Sequence, residues 1–217
     1  MPTPSTDSKI TGEDWYGRQI GAGEHSRVAF IDVDMTEATT AGAVFTECSF
    51  RGVRFNASRH TSSAFINCSF HRCTFFDASF TDCKLMGSTF ERCDLSTLAV
   101  TGGDWSFVDL SGADLSRARF DGTRLREAGL GGVKAGGATL RNVDLSAATT
   151  DGADFTGADL RGSDLTGVNP LTVSLRGAVI TWDQAVQVAE SLGLDVRPDE
   201  TSPHRATQHP SVRRQAP

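Results

Sequence analysis

The chain has 217 residues, a formal net charge of −6, 38% apolar residues, 22 Gly and 13 Phe beside a single Tyr. This length fits one or two ordinary domains, and no apolar run is long enough to predict a membrane span or a secretory signal. The acidic excess argues against a nucleic-acid-binding protein. We therefore expect a soluble cytoplasmic protein with no direct nucleic-acid or membrane partner.

The start of the chain is poor in apolar residues and rich in Pro, Ser and Thr, which predicts a disordered tail over residues 1–22. Trp15 keeps the spacing of the repeat described below. However, the charged residues Glu13 and Arg18 occupy positions that face the core elsewhere. At most, a partial first coil is expected over residues 14–27.

A repeat of five residues begins at Phe30. From there to Ile180 a large apolar residue occupies 26 of 31 successive fifth positions, including eleven Phe and eleven Leu. Two residues before each of these centres lies a compact residue, chiefly Ala, Val, Cys or Ser. A period of five fits neither a helix nor a strand. A backbone that turns through about a right angle every five residues would point both residues inward, and four units would close one coil.

Several units read Ala-Asp-Leu/Phe, as at residues 113–115, 153–155 and 158–160. They match the A(D/N)Lxx signature, so the chain resembles the pentapeptide-repeat family. The resemblance implies an all-β protein, a right-handed quadrilateral β-helix of about eight coils. We place this β-helix at residues 23–182.

Glycine often lies two residues after the centre, and ten of its thirteen occurrences there fall at or beyond residue 102. Glycine readily adopts the positive φ that a type II turn needs at this point. We therefore expect more type II turns in the second half of the β-helix and other turn types in the first half.

A helix is predicted over residues 183–194, where Thr181 and Gln184 form a capping-box pattern and Gly193 ends an apolar stripe. This stripe could cover the last coil or bury itself against a second copy of the chain, and the pattern favours neither. Residues 195–217 are predicted to form a disordered tail. The candidate dimer-interface residues are Trp182, Ala185, Val186, Val188, Ala189 and Leu192.

The five cysteines lie among the compact inward positions, and Cys48–Cys68 and Cys73–Cys93 are each twenty residues apart. Stacked side chains point the same way, which favours buried free thiols over disulfides and disfavours a zinc site. His60 occupies a centre, where a hydrogen-bonded interior histidine is expected. No catalytic triad or phosphate-loop motif is present. We therefore predict no metal, no cofactor and no enzymatic activity, and expect the function to lie on the surface.

Two outward-facing sets are candidate contact surfaces. An Asp immediately before a centre helps to order the turn in this family, and for any single Asp this structural explanation is favoured over a role in binding. Together these residues create a potential able to steer a basic partner groove. This acidic set comprises Asp94, Asp104, Asp109, Asp114, Asp144, Asp154, Asp159 and Asp164. The apolar set comprises Ile66, Met86 and Phe107 on one face and Phe76 on the neighbouring face. It suggests a protein contact, with local packing as the plain alternative.

Residues 45–50, 60–65, 67–70 and 86–90 depart from the simple repeat and resemble the fluoroquinolone-resistance members of the family. This resemblance implies a homodimer joined through the C-terminal helices. It also implies a rod that imitates B-form DNA, binds and inhibits DNA gyrase, and protects gyrase from fluoroquinolones or a natural gyrase poison. The alternative is a scaffold protein of the same family with no topoisomerase partner.

Overall fold

The computed structural model describes residues 3–197, which form a parallel β-solenoid followed by one short helix. The predicted fold class, a four-sided β-helix with a C-terminal helix, is confirmed. Helix α1 spans Trp182–Ser191. Of the two predicted disordered tails, residues 1–2 and 198–217 lie outside the described residues. Fifteen strands lie in the described range: β1 Ser8–Thr11, β2 Gln19–Ile20, β3 Glu24–Ser26, β4 Val28–Ile31, β5 Thr39–Ala41, β6 Val44–Thr46, β7 Ser49–Arg51, β8 Arg59–Thr61, β9 Ala64–Ile66, β10 Ser69–His71, β11 Ser79–Thr81, β12 Thr89–Glu91, β13 Ala99–Thr101, β14 Arg119–Asp121 and β15 Thr139–Arg141.

Every coil pairs with the next in a register of twenty residues. Phe30 is the partner of Phe50, Phe50 of Phe70, and Phe70 of Phe90. We number the four walls of the solenoid by their centres: the first wall contains Phe50, the second Phe55, the third His60 and the fourth Phe65. On the third wall, eight steps of twenty residues lead from Gln19 to Val179.

The core is a narrow column of the two inward residues of each unit. The ring centroids of Phe30 and Phe50 are 4.8 Å apart, those of Phe50 and Phe70 4.8 Å, and those of Phe70 and Phe90 4.6 Å. This spacing follows from the distance of about 4.8 Å between adjacent strands. Because identical residues repeat in register, each ring stacks on the ring of the coil before it.

The first coil is complete, so the prediction of disorder is wrong for residues 8–22. Strand β1 pairs with β4 along its whole length. Glu13 accepts a hydrogen bond of 2.7 Å from the indole nitrogen of Trp15, and the Arg18 guanidinium lies 4.3 Å from the Trp15 ring centroid. These charged residues are tolerated at inward positions because both stay exposed, so their polar ends remain in contact with water.

The turns differ between the two halves in hydrogen bonding rather than in φ. Positive φ occurs two residues after the centre in both halves, for example 53° at Ala57 and 63° at Gly132. In a closed turn the backbone N–H of the residue three after the centre donates a hydrogen bond to the carbonyl of the centre. Before residue 100, closed turns lie mostly on the second wall. Beyond residue 104 they also occur on the first and fourth walls, as from Val133 N–H to Leu130 O. The later half therefore has more closed turns. The expected excess of type II turns there stays a prediction, because the earlier half adopts the same positive φ without glycine.

The second wall is interrupted once in the described part of the chain. Asp94 bridges to Thr74 above it, and Asp114 bridges to Lys134 below it, but Asp94 and Asp114 form no bridge. Instead, the Arg117 N–H donates to Ser96 O at 3.0 Å. A cavity of about 200 Å³ lies at this slit, and Cys93 forms part of its lining. The slit divides the Phe-rich half from the Leu-rich half.

Helix α1 covers the last complete coil. The capping box is present, since the Thr181 side chain accepts from Gln184 N–H and the Gln184 side chain accepts from Thr181 N–H. Gln184 is buried, and its Nε2 donates 2.7 Å hydrogen bonds to the carbonyls of Leu160 and Ser163. Val188 packs against the core. The helix thus satisfies backbone groups that the end of a β-solenoid would otherwise leave unpaired.

Candidate functional site

All eight aspartates of the acidic set are held by the turns that follow them. In each case one carboxylate oxygen accepts a hydrogen bond from the backbone N–H two residues later. The distances include 2.9 Å from Thr156 N–H to Asp154 and 3.0 Å from Ser146 N–H to Asp144. This supports the structural role weighed for each residue separately. It also fixes the direction of the second oxygen, so the charges are rigidly placed.

Most of these aspartates lack a basic partner. Among the eight aspartates, only two form ion pairs with residues of the range 3–197. Asp104 lies 3.0 Å from Arg124, and Asp159 lies 2.7 Å from Arg161. The hydrogen bond from Arg161 lowers the pKa of Asp159 to about 2. Hydrogen bonds from Ser116 likewise lower the pKa of Asp114. These two carboxylates are therefore fully ionised at neutral pH.

The acidic set does not form one continuous face. On the fourth wall Asp144 and Asp164 are direct neighbours, whereas Arg124 lies between Asp104 and Asp144. On the second wall Lys134 separates two other members, Asp114 and Asp154. The remaining acids lie on the first and third walls as well as at the slit. The structure therefore gives short acidic rows interrupted by basic residues. Seven of the eight aspartates lie on the later half of the rod, and Asp94 lies on the earlier side of the slit.

The apolar set is divided by the structure. Phe76 is 57% exposed and Phe107 45% exposed, whereas Ile66 and Met86 are half-buried. Phe76 belongs to the second wall and the other three residues to the fourth. Because these walls lie on opposite sides of a four-sided coil, the expectation that Phe76 projects from a neighbouring face is wrong. The four residues cannot form one contact patch on a single chain.

The C-terminal end carries a larger apolar surface. Trp182 is 90% exposed, Leu192 45% and Val186 37%, while Ala185, Val188 and Ala189 are half-buried between the helix and the last coil. Sequence reasoning missed four further exposed apolar residues in the last part of the described chain, because they lie in irregular or terminal units. These are Leu171 (78% exposed), Val179 (45%), Leu194 (60%) and Val196 (43%).

The histidine and the cysteines of the core have structural surroundings rather than those of a reactive site. Thr40 Oγ1 lies 2.9 Å from His60 Nδ1, and Ser58 Oγ lies 2.9 Å from His60 Nε2, which confirms the expected hydrogen-bonded interior histidine. Burial lowers the pKa of His60 to about 3. All five cysteines are free, and Cys93 alone is half-buried rather than buried. No group of His, Cys, Asp and Glu side chains within residues 3–197 is arranged to hold a metal ion.

None of the described helices is long and apolar enough to cross a membrane.

These features define a class of protein: a four-sided solenoid with a pentapeptide register. The family model "Pentapeptide repeats" matches eight copies over residues 61–96, 105–142 and 138–169. The chain belongs to the pentapeptide-repeat family.

Two curated relatives match a short part of the chain. "Pentapeptide repeat protein MfpA" of Mycolicibacterium smegmatis is 49% identical over 45 residues, which are 21% of this chain and 24% of that protein. The protein of the same name from Mycobacterium tuberculosis is 47% identical over 45 residues, 21% of this chain and 25% of its own length. The match thus spans about a quarter of the length of these relatives.

Two solved structures share the fold over most of the chain. QnrB1, described as a plasmid-mediated fluoroquinolone resistance protein, superposes with a TM-score of 0.63 at 19% identity, covering 89% of this chain and 98% of that one. HetL of Nostoc, described as involved in heterocyst differentiation regulation, has a TM-score of 0.56 at 24% identity, covering 80% of this chain and 86% of that one. At these identities the likeness concerns the fold alone.

Proposed function

We propose that this protein binds DNA gyrase through the acidic later half of its rod, imitating DNA, and so inhibits gyrase and protects it from fluoroquinolones or a natural gyrase poison. The proposal includes a cytoplasmic, non-catalytic homodimer. The partial identity to MfpA supports it, as does the fold shared with a fluoroquinolone resistance protein.

One observation carries the proposal: the eight aspartates are held rigidly by one carboxylate oxygen, and within residues 3–197 six of them form no ion pair through the other. A DNA-binding groove is positively charged, and fixed charges of opposite sign attract it without an ordering cost at the moment of binding. Six of the eight form no ion pair within the described residues, so their charge is available to a partner. A flexible acidic surface would have to be ordered on binding.

The exposed apolar end supports the dimer. Trp182 and Val186 lie on helix α1, Leu192 is its C-cap, and all three are exposed, as are Leu171 and Val179 in the last units of the solenoid. Exposed apolar surface of this extent commonly marks a protein contact. A second copy of the same end would cover it with a self-complementary surface and leave the walls of both rods free. Equilibrium sedimentation tests this: a Val186→Asp variant should sediment as a monomer, whereas an unchanged dimer mass would contradict the proposed interface.

A supercoiling assay with purified gyrase tests the proposed function. The protein should inhibit supercoiling, or reduce ciprofloxacin-stabilised DNA cleavage, at micromolar concentration. A pentapeptide-repeat protein of equal net charge but without the aspartate rows serves as a control. An absence of effect in both assays would leave the scaffold alternative.

A further inference from the structure

A polar groove on the first wall lies outside the surfaces described above. Its floor is formed by Ser49, Ser69 and Thr89, the outward residues that precede three successive centres. At the same position the second wall carries longer or charged residues, Arg54 and Asp94 among them. Because hydroxyl side chains are short, the wall is recessed here. The recess has a volume of about 380 Å³, which is within the range of about 300–1,000 Å³ typical of small-molecule sites.

The rim of the groove is basic. Arg51, His71 and Arg72 line it, and Glu91 is the carboxylate among its lining residues. Glu91 is already engaged, since its carboxylate oxygens lie 3.3 Å from His71 Nδ1 and 3.8 Å from Arg92 Nε. Neither Arg51 nor Arg72 forms an ion pair with any residue from 3 to 197. Two uncompensated guanidinium groups therefore face a recess floored by hydroxyls in a protein of net charge −6.

We propose that this groove binds the phosphate group of a small phosphorylated compound. Two guanidinium groups and three hydroxyls supply more donors than the two oxygens of a carboxylate can accept. A phosphate monoester presents three terminal oxygens, and arginine forks match these oxygens in pairs. The hydroxyls are partly shielded from water, with Ser49 8% and Ser69 7% exposed, which strengthens hydrogen bonds to an anion.

The position of the groove separates this site from the proposed gyrase surface. The groove lies on the Phe-rich half, between coils whose ladder is continuous from β7 through β10 to β12. Its floor is therefore held by main-chain pairing and needs no rearrangement to accept a ligand. Seven of the eight aspartates of the acidic set lie on the other half of the rod and Asp94 lies at the slit, so either function can be absent without affecting the other.

Isothermal titration of the full chain with inorganic phosphate tests the site. We expect saturable binding with one phosphate per chain, and at least ten-fold weaker binding by an Arg51→Gln/Arg72→Gln variant. The matched control, Arg117→Gln/Arg119→Gln, makes the same change of charge on the later half and should bind like the unaltered protein. Sodium chloride at equal ionic strength accounts for screening.

Three results would overturn the proposal. The first is the lack of saturable phosphate binding by the unaltered protein, and the second is equal weakening in both double variants. The third is acetate binding as tightly as phosphate, which would indicate a general anion surface. Circular dichroism of both variants should remain that of the unaltered protein, because Arg51 and Arg72 make no side-chain contact on which the coils depend.

Discussion

The Phe-rich and Leu-rich halves of the rod have the same backbone fold, but they differ in the residues that fill the core and in the residues that adopt positive φ in the turns. Before the slit, stacked Phe rings fill the core, and eleven non-glycine residues adopt positive φ up to Arg92. After the slit, Leu fills most of the core, and positive φ at non-glycine residues up to residue 197 is limited to Phe107, Glu127, Asn142 and Ala147. Left-handed conformations cost an ordinary L-residue about 1–2 kcal/mol. The earlier half tolerates this strain because each aromatic residue buries more apolar area than a Leu does.

The largest expected effect contrasts two centres of the first wall. Phe70→Ala should lower the free energy of unfolding by about 3–5 kcal/mol, and Leu130→Ala by a smaller amount within about 2–5 kcal/mol. Phe70 loses two stacked partners, Phe50 at 4.8 Å and Phe90 at 4.6 Å, which Leu130 does not have. Urea denaturation of both variants measures the difference. Equal losses would show that ring stacking contributes nothing beyond burial.

A pH-dependent loss of stability should arise in the Phe-rich half. Burial lowers the pKa of His60 to about 3, so the folded state stays unprotonated while the unfolded state binds a proton below its pKa of about 6.5. Stability is therefore fully present above pH 6.5 and falls as the pH is lowered towards 3. Between pH 7 and 5 the loss should be about 2 kcal/mol, before the aspartates begin to titrate.

Denaturation curves at pH 7 and pH 5 measure this loss. A His60→Phe variant should lose most of this pH dependence, and the remainder should come from His25, whose pKa is also lowered by burial. A pH dependence that is undiminished in His60→Phe would assign it to another group.

The turn strain can be tested by exchanging the residue types of the two halves. Ala57 has a φ of 53°, and Gly132 has a φ of 63° with open space around the position of a Cβ atom. Ala57→Gly should stabilise the protein by about 1 kcal/mol, and Gly132→Ala should destabilise it by about the same amount. Shifts in the midpoint of urea denaturation measure both. A loss of stability in Ala57→Gly would contradict the strain assigned to the earlier half.

The slit between the halves should be visible in thiol reactivity. Cys93 is half-buried at the slit, whereas Cys83 lies behind a continuous wall and is 1% exposed. With a small aromatic disulfide reagent, one thiol per folded chain should react ahead of the others. Cys93→Ser should abolish this phase, and Cys83→Ser should leave it unchanged. Uniform reactivity of all five thiols would mean that the wall opens elsewhere.

The repeat predicted the walls, both inward columns and the capping box at Thr181, because each depends on residues within five positions of one another. Three features escaped it. The charged Glu13 and Arg18 are compatible with the first coil because both stay exposed and contact Trp15. The slit between Asp94 and Asp114 depends on how two coils fit. Phe76 was expected beside the other exposed apolar residues, yet two turns of the chain carry it to the opposite side.

The candidate acidic set was found from sequence because it lies at one fixed position of the repeat. Its free and paired members could not be distinguished in this way. Whether an arginine reaches an aspartate depends on side-chain direction, as for Arg124, which extends towards Asp104. The exposed Leu171 was missed because it lies where the five-residue pattern is interrupted by Pro170.

The most direct test of the central claim compares two triple variants in gyrase supercoiling. Asp144→Asn/Asp154→Asn/Asp164→Asn removes three charges from the later half, and asparagine keeps the oxygen that accepts the turn hydrogen bond. The control Glu47→Gln/Asp77→Asn/Asp82→Asn removes three charges from the earlier half. We expect inhibition to weaken at least ten-fold in the first variant and to change little in the control. Equal weakening in both, or unchanged inhibition in the first, would contradict the assignment of gyrase binding to the acidic rows.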